Sequence, residues 1–344
     1  MMSGFRQLFI LPLLLILISA CAGKPPVETE EPVFQHDFTG TKVPWTDRQF
    51  DSEAGKFSFA IFSDLTGGER DGVFAVAVEQ LRLLRPELII SVGDLIDGKS
   101  EDHGLLKAEW ESFDERANKA RAPVFHVGGN HDLSHPELWE VWEQRHGQRY
   151  YHFVYKDVLF LVLDTEDNPP AFQANIAEIR WEAISIFNAE GEQAFIDSEY
   201  GQLQERKSGR IGAEQAAYFR EVISRYPDVR WTFLFMHKPA WQRAEEENFS
   251  SIEKALSDRP YSVFHGHLHS YHHEQRHGRD YIRLGTTGGS HASGDPMAID
   301  HVTLVTVSGE GPDIANLRMS GIFDKTGKIP LNGGELCLEG CARK

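Results

Sequence analysis

Apolar runs in this chain end on Asp, Asn or His again and again. The clusters are Asp64 in F-S-D-L-T-G-G, Asp94 in S-V-G-D-L-I-D, Asn130-His131-Asp132 in V-G-G-N-H-D, His237 in F-L-F-M-H-K-P, and His267 and His269 in F-H-G-H-L-H. A short apolar run bounded by turn residues reads as a buried strand. Each cluster therefore falls at a strand end. In α/β sheets ligands gather outside the carboxyl ends of the strands. Carboxylate, amide and imidazole groups collected at one such edge suit Mn, Fe, Zn or Co rather than a soft thiolate site.

The rest of the pattern agrees with an α/β chain. Phe57 to Phe62, Leu88 to Val92 and Val124 to Val127 read as strands, and helical periodicity covers Val73 to Arg85 and Leu105 to Ala120. Tyr150 to Tyr155 and Val158 to Leu163 read as a hairpin across Lys156-Asp157. Residues 166–210, with Pro169 and Pro170, read as an insertion near the site rather than core. A helix at Ala213 to Arg225 and strands at Trp231 to Met236, Tyr261 to Phe264, Tyr281 to Leu284 and Val302 to Val307 follow. The late strands lack intervening helices, which predicts a second, partly antiparallel sheet.

Hydrolysis of a phosphate ester at neutral pH needs a hydroxide nucleophile and neutralised phosphoryl oxygens. Two divalent ions about 3.5–4 Å apart supply both. The order Asp…Gly-Asp…Gly-Asn-His-Asp…His…Gly-His-x-His resembles that of the calcineurin-like metallophosphoesterases, over residues 57–308. The resemblance implies a four-layer α/β/β/α sandwich with two mixed sheets. It also implies two divalent transition metal ions and in-line attack of metal-activated hydroxide on a phosphomonoester or phosphodiester. It assigns Asp94 as the bridging carboxylate. Asn130, His237 and His267 fall to one metal, and Asp64 and His269 to the other. His131 matches the histidine that meets the phosphate and the leaving oxygen. Asp132 matches the carboxylate that orients it.

One position departs from that family. Its first motif reads Asp-x-His, whereas here Thr66 follows Asp64-Leu65. Three readings are open: Thr66 binds weakly or through water, another side chain fills the gap, or the metal site of Asp64 and His269 is weak. The last motivates a competing function, an exported metal- or ligand-binding lipoprotein with reduced catalysis or none. Gly67-Gly68 suits close backbone approach to a ligand or an ordinary turn.

Other residues have two readings each. Arg70 is either a phosphate clamp or an ion-pair partner. His291 lines the cleft or packs away from it. Trp241 walls the pocket or belongs to the core. His126 and His265 read as packed strand histidines, and His272, His273 and His277 as a solvated loop. Asp97 is expected to cap the loop after the second strand.

The N-terminus reads as a targeting segment. Arg6 precedes an apolar core from Leu8 to Ile18, and Ile18-Ser19-Ala20-Cys21 follows. This resembles a bacterial lipoprotein signal, with Cys21 as the lipidated residue; a plain secretory signal or a membrane anchor is the alternative. The expected organisation is a signal peptide at 1–20, a Pro-rich tether at 21–50, a phosphoesterase domain at 51–310 and a C-terminal extension at 311–344. Ala22 after the cysteine favours the outer membrane, facing the periplasm, in a Gram-negative source. Cys337 and Cys341 then form an even pair able to bridge in an oxidising compartment. The net charge of −17 argues against nucleic acid as a bulk partner. It leaves room for a phosphorylated small molecule or phosphoprotein, because bound metal reverses the local field.

Overall fold

The structure is a computed structural model that describes residues 55–341. The expected signal peptide, Cys21 and the tether lie outside the described residues. Among the described residues no helix is long and apolar enough to cross a membrane.

The elements run β1 (Phe57–Phe62), α1 (Val73–Leu84), β2 (Leu88–Ser91), α2 (His103–Ala117), β3 (Val124–Phe125), α3 (Asn130–Leu133), α4 (Pro136–His146), β4 (Tyr151–Tyr155) and β5 (Val158–Val162). After them come α5 (Pro170–Glu190), α6 (Glu192–Asp197), α7 (Glu199–Gln202), α8 (Ala213–Arg225), β6 (Trp231–Phe235), α9 (Glu247–Ala255), β7 (Tyr261–His265), β8 (His272–Arg276), β9 (Arg279–Arg283), β10 (His301–Ser308) and β11 (Gly311–Arg318). They build two mixed sheets, ordered β11-β10-β1-β2-β3 and β4-β5-β6-β7-β9-β8.

Period-two alternation sets the layers. Phe57, Phe59 and Ile61 of β1 meet Phe160, Phe233, Phe235 and Phe264 of the other sheet in the central core. Ala60 and Phe62 point the opposite way, under Phe74, Leu81, Trp110 and Trp142 of the helices on the outer face. Leu234 and Val263 likewise turn outward onto Phe219, Ile223 and Phe249 of α8 and α9. The result is the expected four-layer α/β/β/α arrangement.

Boundaries shift for identifiable reasons. α1 stops at Leu84 because Pro86 disfavours a helical Arg85, which takes φ 55° instead. α2 starts earlier than Leu105 because the Asp102 carboxylate accepts the Leu105 N–H at 2.9 Å as an N-cap. Residues 166–210 are mostly helical and carry a small core of Ile176, Ala183 and Tyr200.

The expected boundary at 310 falls inside the β10–β11 hairpin, so residues 311–318 are part of the first sheet. Residues beyond them are tied back as well. Leu338 packs in the core under α1, and its carbonyl accepts the Asp300 N–H at 2.9 Å. Cys337 and Cys341 are disulfide-bonded.

Candidate metal centre

β1, β2, β6 and β7 run parallel within their sheets and end at one edge. Their exits deliver Asp64, Asp94, His237 and His267, and the first residue of α3, after β3, is Asn130. Asp64, Asp94, His267 and His269 all adopt positive φ, between 42° and 77°. Such non-glycine backbone costs on the order of 1–3 kcal/mol per residue and marks functional sites. Gly93 has to be glycine: its φ is 100°, and a Cβ there would lie 2.6 Å from His237 Nδ1.

The first cluster joins Asp94, Asn130, His237 and His267. His237 Nε2 lies 3.2 Å from Asp94 Oδ2, Asn130 Oδ1 and His267 Nδ1 alike. The outer ring nitrogens fix both tautomers. His237 Nδ1 donates to the Val92 carbonyl at 2.8 Å, and His267 Nε2 donates to the Arg206 carbonyl at 2.6 Å. Two imidazole lone pairs, a carboxylate oxygen and an amide oxygen therefore converge with no proton among them when both rings are neutral. Only a cation satisfies that set, so these residues fit a divalent metal.

The charges point the same way. Burial alone would lower the His237 pKa, but the Asp94 carboxylate, with help from Asp64, raises it to about 9. Burial and the charges on His237 and Lys238 hold His267 well below the usual histidine range. Asp94 is held well below the usual carboxylate range, because His237 and His131 outweigh its burial. The cluster calls for positive charge, which a proton on His237 or a metal ion supplies.

The second cluster is Asp64, Asp94 and His269, and the carboxylate and imidazole ligand atoms within each of the two clusters lie inside 4.8 Å of one another. His269 donates from Nδ1 to the Ser290 carbonyl, leaving Nε2 3.3 Å from Asp64 Oδ1. Asp64 is fully buried and also accepts the Ser63 hydroxyl and the His267 N–H. Asp94 belongs to both clusters, as a bridging carboxylate must. Thr66 does not join: its hydroxyl donates to Asp97 Oδ1 at 3.2 Å. The second cluster is thus one donor poorer, as the sequence departure suggested.

His131 and Asp132 divide their work differently from expectation. Asp132 does not touch the His131 ring. Its carboxylate accepts N–H groups from Asp94, Leu95, Ile96 and Gly129 at 2.8–3.1 Å, which shapes the loop that carries Asp94. Burial and the Asp94 charge push Asp132 up to about 7, against the Gly129, Leu95 and Ile96 N–H groups. His131 is oriented by main chain instead: Nδ1 donates to the Asp97 carbonyl at 2.8 Å. Burial lowers the His131 pKa, Asp94 opposes it and Arg180 reinforces it. The ring reaches the second cluster, since a Cβ on Gly67 would lie 3.6 Å from His131 Nε2 and 3.0 Å from His269 Cε1.

Two candidate residues stand elsewhere. Arg70 holds both oxygens of Asp300, at 2.6 and 2.7 Å, and donates to the Gly289 and Cys337 carbonyls. It staples the C-terminal segment and is not free to clamp phosphate. His291 accepts the Cys341 N–H and lies 3.3 Å from Asp300, in the same staple. Trp241 packs on Phe249, His265 and Tyr281 at the outer face of the second sheet. His126 joins Trp110, Phe113 and His146.

Four partners of the centre carry no side-chain signal in sequence: the carbonyls of Val92, Asp97, Arg206 and Ser290. Lys238 does have one, being a lysine directly after a ligand. It is buried, with Nζ 2.6 Å from Glu166 and 2.7 Å from the Glu205 carbonyl.

No curated protein matches this chain in sequence. Solved structures share its fold. A dimetal phosphatase from Danio rerio is 14% identical with a TM-score of 0.51, over 76% of this chain and 98% of that one. The purple acid phosphatase PPD1 from yellow lupin is 14% identical with a TM-score of 0.52, over 78% of this chain and about half (53%) of the lupin chain. The calcineurin-like phosphoesterase family pattern matches residues 57–271, well over half of the sequence. The chain belongs to the calcineurin-like phosphoesterases, a family of hydrolases.

Proposed function

We propose that the protein hydrolyses a phosphate ester, with two divalent transition metal ions held by Asp94, Asn130, His237 and His267 and by Asp64, Asp94 and His269. The observation that carries this is the convergence of Asp94, Asn130 and His267 donor atoms on His237 Nε2, a buried set that calls for a cation. Bound divalent cations would lower the pKa of water and neutralise phosphoryl oxygens. The chain's own residues do the rest. Asp94 ties the two clusters together. Asp132 holds the Asp94 loop through four N–H bonds. His131, anchored at Nδ1, presents Nε2 to the leaving oxygen and exchanges a proton there.

The substrate is a phosphorylated small molecule or phosphoprotein met outside the cytoplasm. The lipoprotein-type leader and Cys21 support an exported, lipid-anchored protein, on the outer membrane facing the periplasm in a Gram-negative cell. A competing reading, a metal-binding lipoprotein without turnover, draws on Thr66 facing Asp97 rather than the metal cluster. Metal analysis coupled to assays on para-nitrophenyl phosphate and its bis ester separates the two. Turnover that disappears in Asp94→Asn supports the enzyme. Full metal content with silence on both esters overturns it.

A further inference from the structure

The helix α5, in the segment that interrupts the sandwich, lies against the turn that carries Asn130 and His131. Gln173 donates to the carbonyls of Leu133 and Ser134 at 3.3 and 2.8 Å. Seven residues on, and so on the same helical face, Arg180 donates from Nη1 to Ser134 Oγ at 2.9 Å. Arg180 is only 6% exposed.

That hydroxyl is the one hydrogen-bond acceptor Arg180 has among the described residues, and no carboxylate there pairs with it. Its Nε and Nη2 have no partner among the described residues and are open to solvent. Burying a guanidinium without an anion is costly. The chain thus holds a guanidinium with no anionic partner among the described residues on Ser134, three residues past His131, the residue expected to meet the phosphate.

We propose that Arg180 binds phosphoryl oxygens of the substrate and makes the centre favour a phosphomonoester dianion over a diester. This rests on the phosphoesterase reading above. Guanidinium donors form a planar fork that fits two phosphate oxygens. A monoester offers three non-bridging oxygens and a second negative charge, whereas a diester offers two oxygens and one charge. Arg180 therefore gains more from the monoester. Arg70, the arginine that the sequence offered for this task, is committed to Asp300.

The test uses the full chain loaded with Mn or Zn. Arg180→Gln should weaken inorganic phosphate binding, read by calorimetry, by roughly ten- to a hundredfold. It should lower kcat/KM on para-nitrophenyl phosphate at least about tenfold more than on the bis ester, and Arg180→Lys should recover part of both. Ser134→Ala keeps the guanidinium and removes its protein anchor, so it should cost much less than Arg180→Gln. Unchanged phosphate affinity in a folded, metal-replete Arg180→Gln overturns the proposal. So does an equal loss on both esters, or a Ser134→Ala that reproduces the loss. If Arg180→Gln does not fold, Arg180→Lys and Ser134→Ala decide by the same readouts. A wild type silent on both esters defeats the phosphoesterase reading instead, and phosphate calorimetry then judges Arg180 alone.

Discussion

The Nε2 of His237 and the Nδ1 of His267 face each other at 3.2 Å, and each ring spends its other nitrogen on a backbone carbonyl. Two lone pairs held at that separation repel unless a metal ion or a proton on His237 lies between them, and a divalent ion offsets the buried Asp94 and Asp64 charges more fully than one proton does. Stripping metal with a chelator should therefore lower the melting temperature. A metal held at a thousand times its Kd contributes about 4 kcal/mol. Calorimetry before and after chelation, with metal analysis on the same samples, reads this out. An unchanged melting temperature after complete removal would count against a metal at this cluster.

Asp132→Asn should act on stability and metal content before it acts on proton transfer. Oδ1 accepts from Leu95 and Ile96, and Oδ2 from Asp94 and Gly129. An amide turns one oxygen into a donor that faces two N–H groups. The expected cost is about 3 kcal/mol, with reduced metal occupancy as Asp94 loses its cradle. Denaturant unfolding and metal analysis check it. A variant as stable as wild type, altered only in its pH–rate profile, would restore the ring-orienting role to Asp132.

The candidate ligands were legible in sequence because each is a polar residue at the end of an apolar run, and strand ends are where a sheet gathers ligands. Asp64, Asp94, Asn130, His237, His267 and His269 follow from that rule. The role of Asp132 does not follow, and for Arg70 the sequence leaves a phosphate clamp and an ion pair both open. A carboxylate next to a histidine looks like its partner, yet in α3 neighbouring side chains point in different directions, and Asp132 turns to the β2 loop instead. Arg70 sits after Gly67-Gly68, and the partner that decides for the ion pair, Asp300, comes 230 residues later. No local pattern reveals such a pair. Backbone carbonyls are invisible for the same reason, which is why the contacts at Val92, Asp97 and Arg206 needed the fold.

Stability should fall as pH drops from about 6.5 toward 4. Burial lowers His126 to about 4, His146 to about 3 and His301 to about 4. For His126 the Asp114 carboxylate opposes burial and Arg145 adds to it. Below their unfolded pKa of about 6.5 the unfolded chain binds protons that the folded chain refuses, so the stabilisation present above that pH is lost on acidification. His301 Nε2 accepts the Gly285 N–H at 2.8 Å, which requires the neutral ring. His126→Phe, which keeps an aromatic group beside Trp110, should flatten the melting temperature profile between pH 6.5 and 4. An identical slope in that variant would remove His126 from the account.

Gly98→Ala should cost turnover more than metal. Gly98 has φ 60°, and a Cβ there would lie 1.8 Å from the His131 carbonyl oxygen, which is backbone and cannot swing aside. The preceding Asp97 carbonyl holds His131 Nδ1. Displacing a proton-transfer group by about 1 Å costs on the order of a hundredfold in rate. Steady-state kinetics beside metal analysis test it. Equal proportional losses of metal and activity would mean that the loop supports the whole centre rather than His131.

Lys238→Met separates folding from the geometry of the His267 cluster. Lys238 bridges Glu166 at 2.6 Å and the Glu205 carbonyl at 2.7 Å, and the next carbonyl, that of Arg206, accepts His267 Nε2. Removing the ammonium leaves Glu166 buried and unpaired, at a cost of about 3–5 kcal/mol. It also releases the turn whose carbonyl fixes the His267 tautomer, and such outer contacts support metal affinity by roughly tenfold or more. Adding Glu166→Gln removes the stranded charge, so the double variant should regain most of the stability. It should not regain metal affinity, because the Glu205 carbonyl is still unheld. Urea unfolding gives the first quantity and competitive metal titration the second. If both recover together in the double variant, Lys238 acts on the centre only through global stability, and the link through Glu205 to His267 carries no separate weight.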